Sequence, residues 1–165
     1  MTAREDFVSQ FGGVFEHSPF IAERAYDRGL IFVPLTAKGL HDAMISEFRR
    51  ASADERLGVL RAHPDLAGKL AIAGKLTQDS RLEQAGAGLD RLTPSEHERF
   101  TALNTAYTEK FGFPFIIAVK GLTKDDILAA FEARVGNSTE DEFETACAQV
   151  ERIALLRLLT LLPEK

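Results

Sequence analysis

Three local patterns carry side chains able to move a proton or hold a polar anion. The first is His63-Pro64-Asp65-Leu66-Ala67-Gly68. Pro64 restricts the residue before it to extended geometry and can itself open a helix, so the imidazole of His63 is held at a junction. With an ordinary pKa near ~6.5, histidine suits proton transfer at neutral pH. A histidine ahead of a proline is nonetheless more often a plain helix-boundary residue. The second pattern is Ser80-Arg81-Leu82-Glu83-Gln84. Ser80, Glu83 and Gln84 are spaced to share one helical face. A carboxylate there can orient or charge-balance an imidazole, and Ser and Gln can read the amide edges of a ligand. An ordinary solvated face is the plainer reading of the same residues.

The third pattern is Arg157. Phe143, Cys147, Val150, Ala154, Arg157 and Leu161 follow a helical stripe that places the guanidinium on the face meant for the core. A charge buried there needs an anion, either a protein carboxylate or a substrate. If substrate is the main partner, truncating Arg157 is expected to weaken binding more than stability. His17, His41 and His97 show no metal-ligand spacing and are expected on polar helical surfaces.

These residues need helices to carry them, and apolar positions recur at helical spacing almost throughout, as in Leu40, Met44, Ile45 and Phe48. Ser52 with Glu55, Thr93 with Pro94 and Glu96, and Thr139 with Glu142 read as N-caps followed by capping-box acids. The expected fold is all-α, a single compact domain over 1–165 of about eight or nine helices. They are placed near 3–11, 19–28, 38–51, 53–61, 65–72, 79–88, 94–110, 124–134 and 140–161. One stretch, 111–119 (FGFPFIIAV), resists that reading. Pro114 pushes Phe113 toward extended geometry, and the β-branched and aromatic run is too short for a typical helix. Its backbone N–H and C=O groups require partners, from a polar ligand or from neighbouring side chains and water.

The chain has 165 residues, 45% hydrophobic, with a net charge of −5. That balance provides no cationic surface for nucleic acid or anionic membranes. Cys147 is the only cysteine, so an intramolecular disulfide is excluded and a reducing cytoplasm fits. No export signal or bilayer-spanning segment is expected from either end.

Taken in order, FGGVFEHSPFIAERA at 11–25, HPDLAGK at 63–69, SRLEQAGAGL at 80–89, FGFPFIIAVKG at 111–121 and IALLRL at 153–158 resemble the OHCU decarboxylase family from end to end. The resemblance implies an all-α enzyme that decarboxylates 2-oxo-4-hydroxy-4-carboxy-5-ureidoimidazoline (OHCU) to (S)-allantoin and carbon dioxide in urate degradation. It implies no metal or organic cofactor, a small-molecule substrate and product as partners, and commonly a homodimer. Position by position, His63 and Glu83 match the family's catalytic histidine and glutamate, and Arg157 matches the arginine engaging the substrate's anionic or carbonyl end. Pro64 shapes the adjacent wall, Ser80 and Gln84 match polar ligand contacts, and Phe115 and Ile117 match positions whose backbone groups bind the ring. Phe20 departs from the family, which often has Trp after Ser-Pro. Arg134 is a competing arginine, ranked lower because it lies beside an expected loop.

Overall fold

The computed structural model describes residues 2–66 and 76–162. Among these there are eight α-helices and no strand: α1 Ala3–Phe11, α2 Phe20–Asp27, α3 Ala37–Arg50, α4 Ala53–Ala62, α5 Gln78–Gly86, α6 Pro94–Phe111, α7 Lys124–Arg134 and α8 Thr139–Leu161. The all-α expectation holds. The helix expected near 65–72 falls mostly outside the described residues, and with it the helix that Pro64 was expected to open.

Local chemistry sets the helix starts. Thr93 caps α6 by accepting from the Glu96 N–H while the Glu96 side chain returns to the Thr93 N–H, with Pro94 in the first turn. Ser52 and Glu55 make the same reciprocal pair at α4. At α8 the expectation is corrected: Ser138, not Thr139, supplies the cap, accepting from the Asp141 N–H. Glu142 points inward instead, because Arg134 and Tyr107 offer its carboxylate charged and hydroxyl donors that a cap would not.

The chain divides into two compact units, one of residues 1–62 with 150–165 and one of 63–149. In the first, α1 packs on α2 and α2 on α3. Phe7 contacts Phe11 and Tyr26, and Phe15 lies against Phe48. His17 is not on a helix; it takes a positive φ of 47° in the turn after Phe15. His41 does sit on α3, with its Nε2 2.8 Å from the Glu151 carbonyl.

The second unit is built on aromatic rings. Phe115 stacks on Phe131 with centroids 4.0 Å apart, and Tyr107 meets both rings edge-on. Such contacts add to the area these side chains bury. Within it α6 ends at Gly112, whose φ of 79° reverses the chain, and Pro114 prevents the helix from resuming. The 113–119 stretch is neither helix nor strand, as its sequence predicts, and all of it is buried apart from partly exposed Ile117. His97 departs from the surface reading, since its Nε2 is buried with no hydrogen-bond partner among the described residues.

Candidate functional site

Two connections hold the segment after His63, one from α5 and one from α6. The Gln84 side-chain amide donates to the Asp65 carbonyl at 3.4 Å, and the Asn104 amide of α6 donates to the Leu66 carbonyl at 2.9 Å. Side chains of two helices thus hold consecutive carbonyls just after His63-Pro64, and the His63 imidazole is buried. A side chain on a segment fixed in this way loses less freedom when it meets a ligand. Burial also pushes the Asp65 carboxyl above the usual carboxylate range.

Helix α5 decides between the two readings of its polar face. Thr77 caps it, accepting from the Ser80 N–H at 3.2 Å. Ser80 and Gln84 are each only 5% exposed, and Glu83 is half-buried beside them, whereas Leu82 is 58% exposed. The helix turns its polar stripe inward and an apolar residue outward, the reverse of a surface helix. Polar groups buried in this way require hydrogen-bonding chemistry around them, so the plain solvated-face reading is set aside.

The 113–119 segment is gripped by side chains of its own unit. Arg134 donates from Nη1 to the Ile116 carbonyl at 2.7 Å, and the Ala118 N–H donates to Gln149 Oε1 at 2.8 Å. The Arg134 guanidinium also lies 4.4 Å over the Phe115 ring. Its Nε and Nη2 donate to Glu142, whose carboxylate further accepts from Asn137 and from the Tyr107 hydroxyl. Burial, and then the hydrogen bond to Glu142, hold the Tyr107 hydroxyl well above the usual phenol range, so it remains a donor. Among the described residues no hydrogen bond involves the backbone N–H or C=O of Phe115 or Ile117.

Arg157 lies in the first unit and is buried on the stripe its spacing predicts. Nη2 donates to Glu16 at 2.9 Å and Nη1 to the Gly13 carbonyl at 3.3 Å. The expectation that truncation weakens binding more than stability held only if substrate were the main partner; a buried protein carboxylate already pairs with the guanidinium, so truncation is expected to cost stability as well. Glu16 itself is aimed by a tight turn in which the Ser18 hydroxyl donates to the Glu16 carbonyl and the Ser18 N–H to Phe15.

Sequence reasoning missed Glu16, Glu142, Gln149 and Asn104. Glu16 had a usable signal, an acid directly following the apolar run Val14-Phe15. Arg134 ranked low as a ligand residue; its position beside the loop is right, and its half-buried guanidinium is engaged in a structural network.

Comparison with known proteins matches residues 1–159 to the family model described as OHCU decarboxylase. A 2-oxo-4-hydroxy-4-carboxy-5-ureidoimidazoline decarboxylase of Haloferax volcanii is 44% identical over 155 residues, covering 93% of this chain and 88% of that protein. Its counterpart in Halalkalicoccus jeotgali is 43% identical over 156 residues, covering 94% and 84%. Among solved structures, a crystal structure of (S)-allantoin synthase superposes with a TM-score of 0.76 at 35% identity, over 98% of this chain and 51% of that one. The chain belongs to the OHCU decarboxylase family.

Proposed function

We propose that this chain is a carboxy-lyase that decarboxylates OHCU to (S)-allantoin and carbon dioxide in urate degradation, using the substrate as its own electron sink. The observation that carries the reading is the inverted helix α5. Its inward stripe, with Ser80 and Gln84 buried and Glu83 half-buried, is tied through Gln84 to the segment bearing His63 and supports reading these residues as catalytic and ligand-contacting.

The substrate has a hydroxyl and a carboxylate on one ring carbon, beside the C=N carbon that carries the ureido group. The electron pair of the breaking C–C bond moves toward the adjacent C=N, nitrogen takes a proton, and carbon dioxide leaves. His63, oriented by Glu83, takes the hydroxyl proton. Delivery of a proton to one face of the neighbouring carbon then closes the carbonyl and fixes the S configuration. Ser80, Gln84 and the backbone groups of Phe115 and Ile117 bind the ring, Pro64 forms a wall beside the imidazole, and Arg157 engages the anionic or carbonyl end. The chemistry calls for no metal or organic cofactor. Residence in the cytoplasm and association as a homodimer belong to the same reading, the second tested by light scattering.

The decisive experiment generates OHCU from urate in situ and follows allantoin chirality with and without the protein. His63→Asn is expected to fold normally and lose roughly 10²–10⁴-fold in turnover, the range for a positioned proton-transfer group. Near-normal turnover by His63→Asn, or racemic allantoin with the intact protein, would reject the assignment.

A further inference from the structure

The two side-chain grips on the 113–119 segment fall in a pattern. Arg134 takes the Ile116 carbonyl, and Gln149 takes the Ala118 N–H. In extended backbone the N–H and C=O of one residue point to the same edge, and those of its neighbours point to the other. Pro114 and the β-branched, aromatic run favour extended backbone here; in that geometry Ile116 and Ala118, two residues apart, present the gripped groups to one edge, and the groups of Phe115 and Ile117 face the opposite one. Ile117 is also the one residue of 113–119 that is not buried.

We infer that Arg134 and Gln149 are positioning residues which clamp one edge of this segment so that the other edge meets the ligand ring in fixed register. The inference rests on the proposed function for the identity of that ligand. Neither residue touches the reacting atoms; each acts through backbone groups it does not itself contact. The division of labour follows from geometry. Phe115, stacked on Phe131 and lying under the Arg134 guanidinium, fixes the segment's depth and rotation. The two hydrogen bonds fix its slide along the strand direction, where a slip of one residue would exchange the two edges. Glu142 matters here because it holds two of the Arg134 nitrogens and leaves the third aimed at Ile116. An arginine has the planar fork for this double task, and a lysine does not.

A clamp of this kind serves ground state and transition state alike, so its loss appears in KM and in product affinity more than in kcat. Gln149 is the cleaner target, being half-buried and neutral. Gln149→Leu removes the acceptor for the Ala118 N–H. The expected result is a rise of roughly three- to tenfold in KM for OHCU and in Kd for (S)-allantoin, the worth of one net hydrogen bond. Turnover number should stay within about twofold, while the melting temperature should fall, because the buried Ala118 N–H loses its acceptor. Gln149→Glu, which keeps an acceptor oxygen, should restore most of the affinity. Arg134→Lys, which keeps a cation beside Glu142 but loses the reach to Ile116, should move KM in the same direction even if Gln149→Leu fails to fold. Unchanged KM and Kd in folded Gln149→Leu, or equal losses in the Leu and Glu variants, overturn the clamp. Failure of the intact protein to turn over OHCU overturns the proposed function instead, and is read before any variant.

Discussion

Two arginine–glutamate pairs with fully buried carboxylates, Arg134 with Glu142 and Arg157 with Glu16, meet the same physical problem at different ranges. A buried charge costs several kcal/mol unless another charge and further hydrogen bonds meet it. Arg134 and Glu142 lie on consecutive helices, and Tyr107 and Asn137 join them. The outcome is local: a nearby loop acquires a fixed position. Arg157 and Glu16 are 141 residues apart in sequence, and their bond joins the turn after α1 to the last helix. Only the second arginine is also proposed to meet substrate. An arginine on an apolar stripe therefore reports that an anion is near without saying whether the anion is protein or ligand.

The largest expected effect breaks the local pair. Arg134→Met leaves the Glu142 carboxylate, 0% exposed, without its cation, and loss of one partner from such a pair costs about 3–5 kcal/mol. Adding Glu142→Leu should recover part of that loss, since the stranded charge goes with it, although Tyr107 then loses its acceptor. Denaturant melts of both single variants and the double variant measure the coupling. Losses that simply add would show that the two residues do not act as a unit.

The long-range pair gives a smaller effect with a second readout. Arg157→Met should destabilise by about 3 kcal/mol, because Glu16 is left buried. If the guanidinium also engages substrate, the folded variant should bind (S)-allantoin more weakly by a further ~1.5 kcal/mol or more, the scale of a hydrogen bond to a charged group. A stability loss with unchanged allantoin affinity would make Arg157 purely structural and detach it from the proposed chemistry.

The contrast also marks what a sequence can disclose. Helix positions were legible because periodicity and caps are local: Thr93-Pro94-Glu96 and Ser52-Glu55 satisfy their own backbone N–H groups wherever the chain goes. The break at 111–119 was legible for the same reason, through Gly112 and Pro114. Glu142 was not. An acid three residues after Thr139 imitates a capping box, and only the arrival of Arg134 and Tyr107 decides that it turns inward. The inward face of α5 was equally hidden, since Ser80, Glu83 and Gln84 have the composition of a solvated stripe and only burial shows otherwise. Gln149 carries no local mark at all; its partner Ala118 is 31 residues away.

Asp65 approaches the comparison from the other side, as a carboxylate whose titration is moved by burial instead of by a cation. Its carboxyl is pushed above the usual range, so between the ordinary value and the raised one the native state binds more protons than the unfolded state. Stability must then fall as pH rises through that window, the opposite sign to a carboxylate whose pKa a cation has lowered. Asp65→Asn removes the titration while leaving the Asp65 backbone carbonyl that Gln84 binds. The variant should match wild type near pH ~3 and become the more stable of the two by pH ~7, when both forms of the aspartate would be ionised. The gain should be smaller than either arginine effect, because Asp65 is only half-buried and water still reaches part of its charge. Urea melts of the two proteins at the two pH values provide the check. A variant that instead loses stability as pH rises would mean that a hidden cation holds Asp65, and the contrast between burial and pairing would fail at this residue.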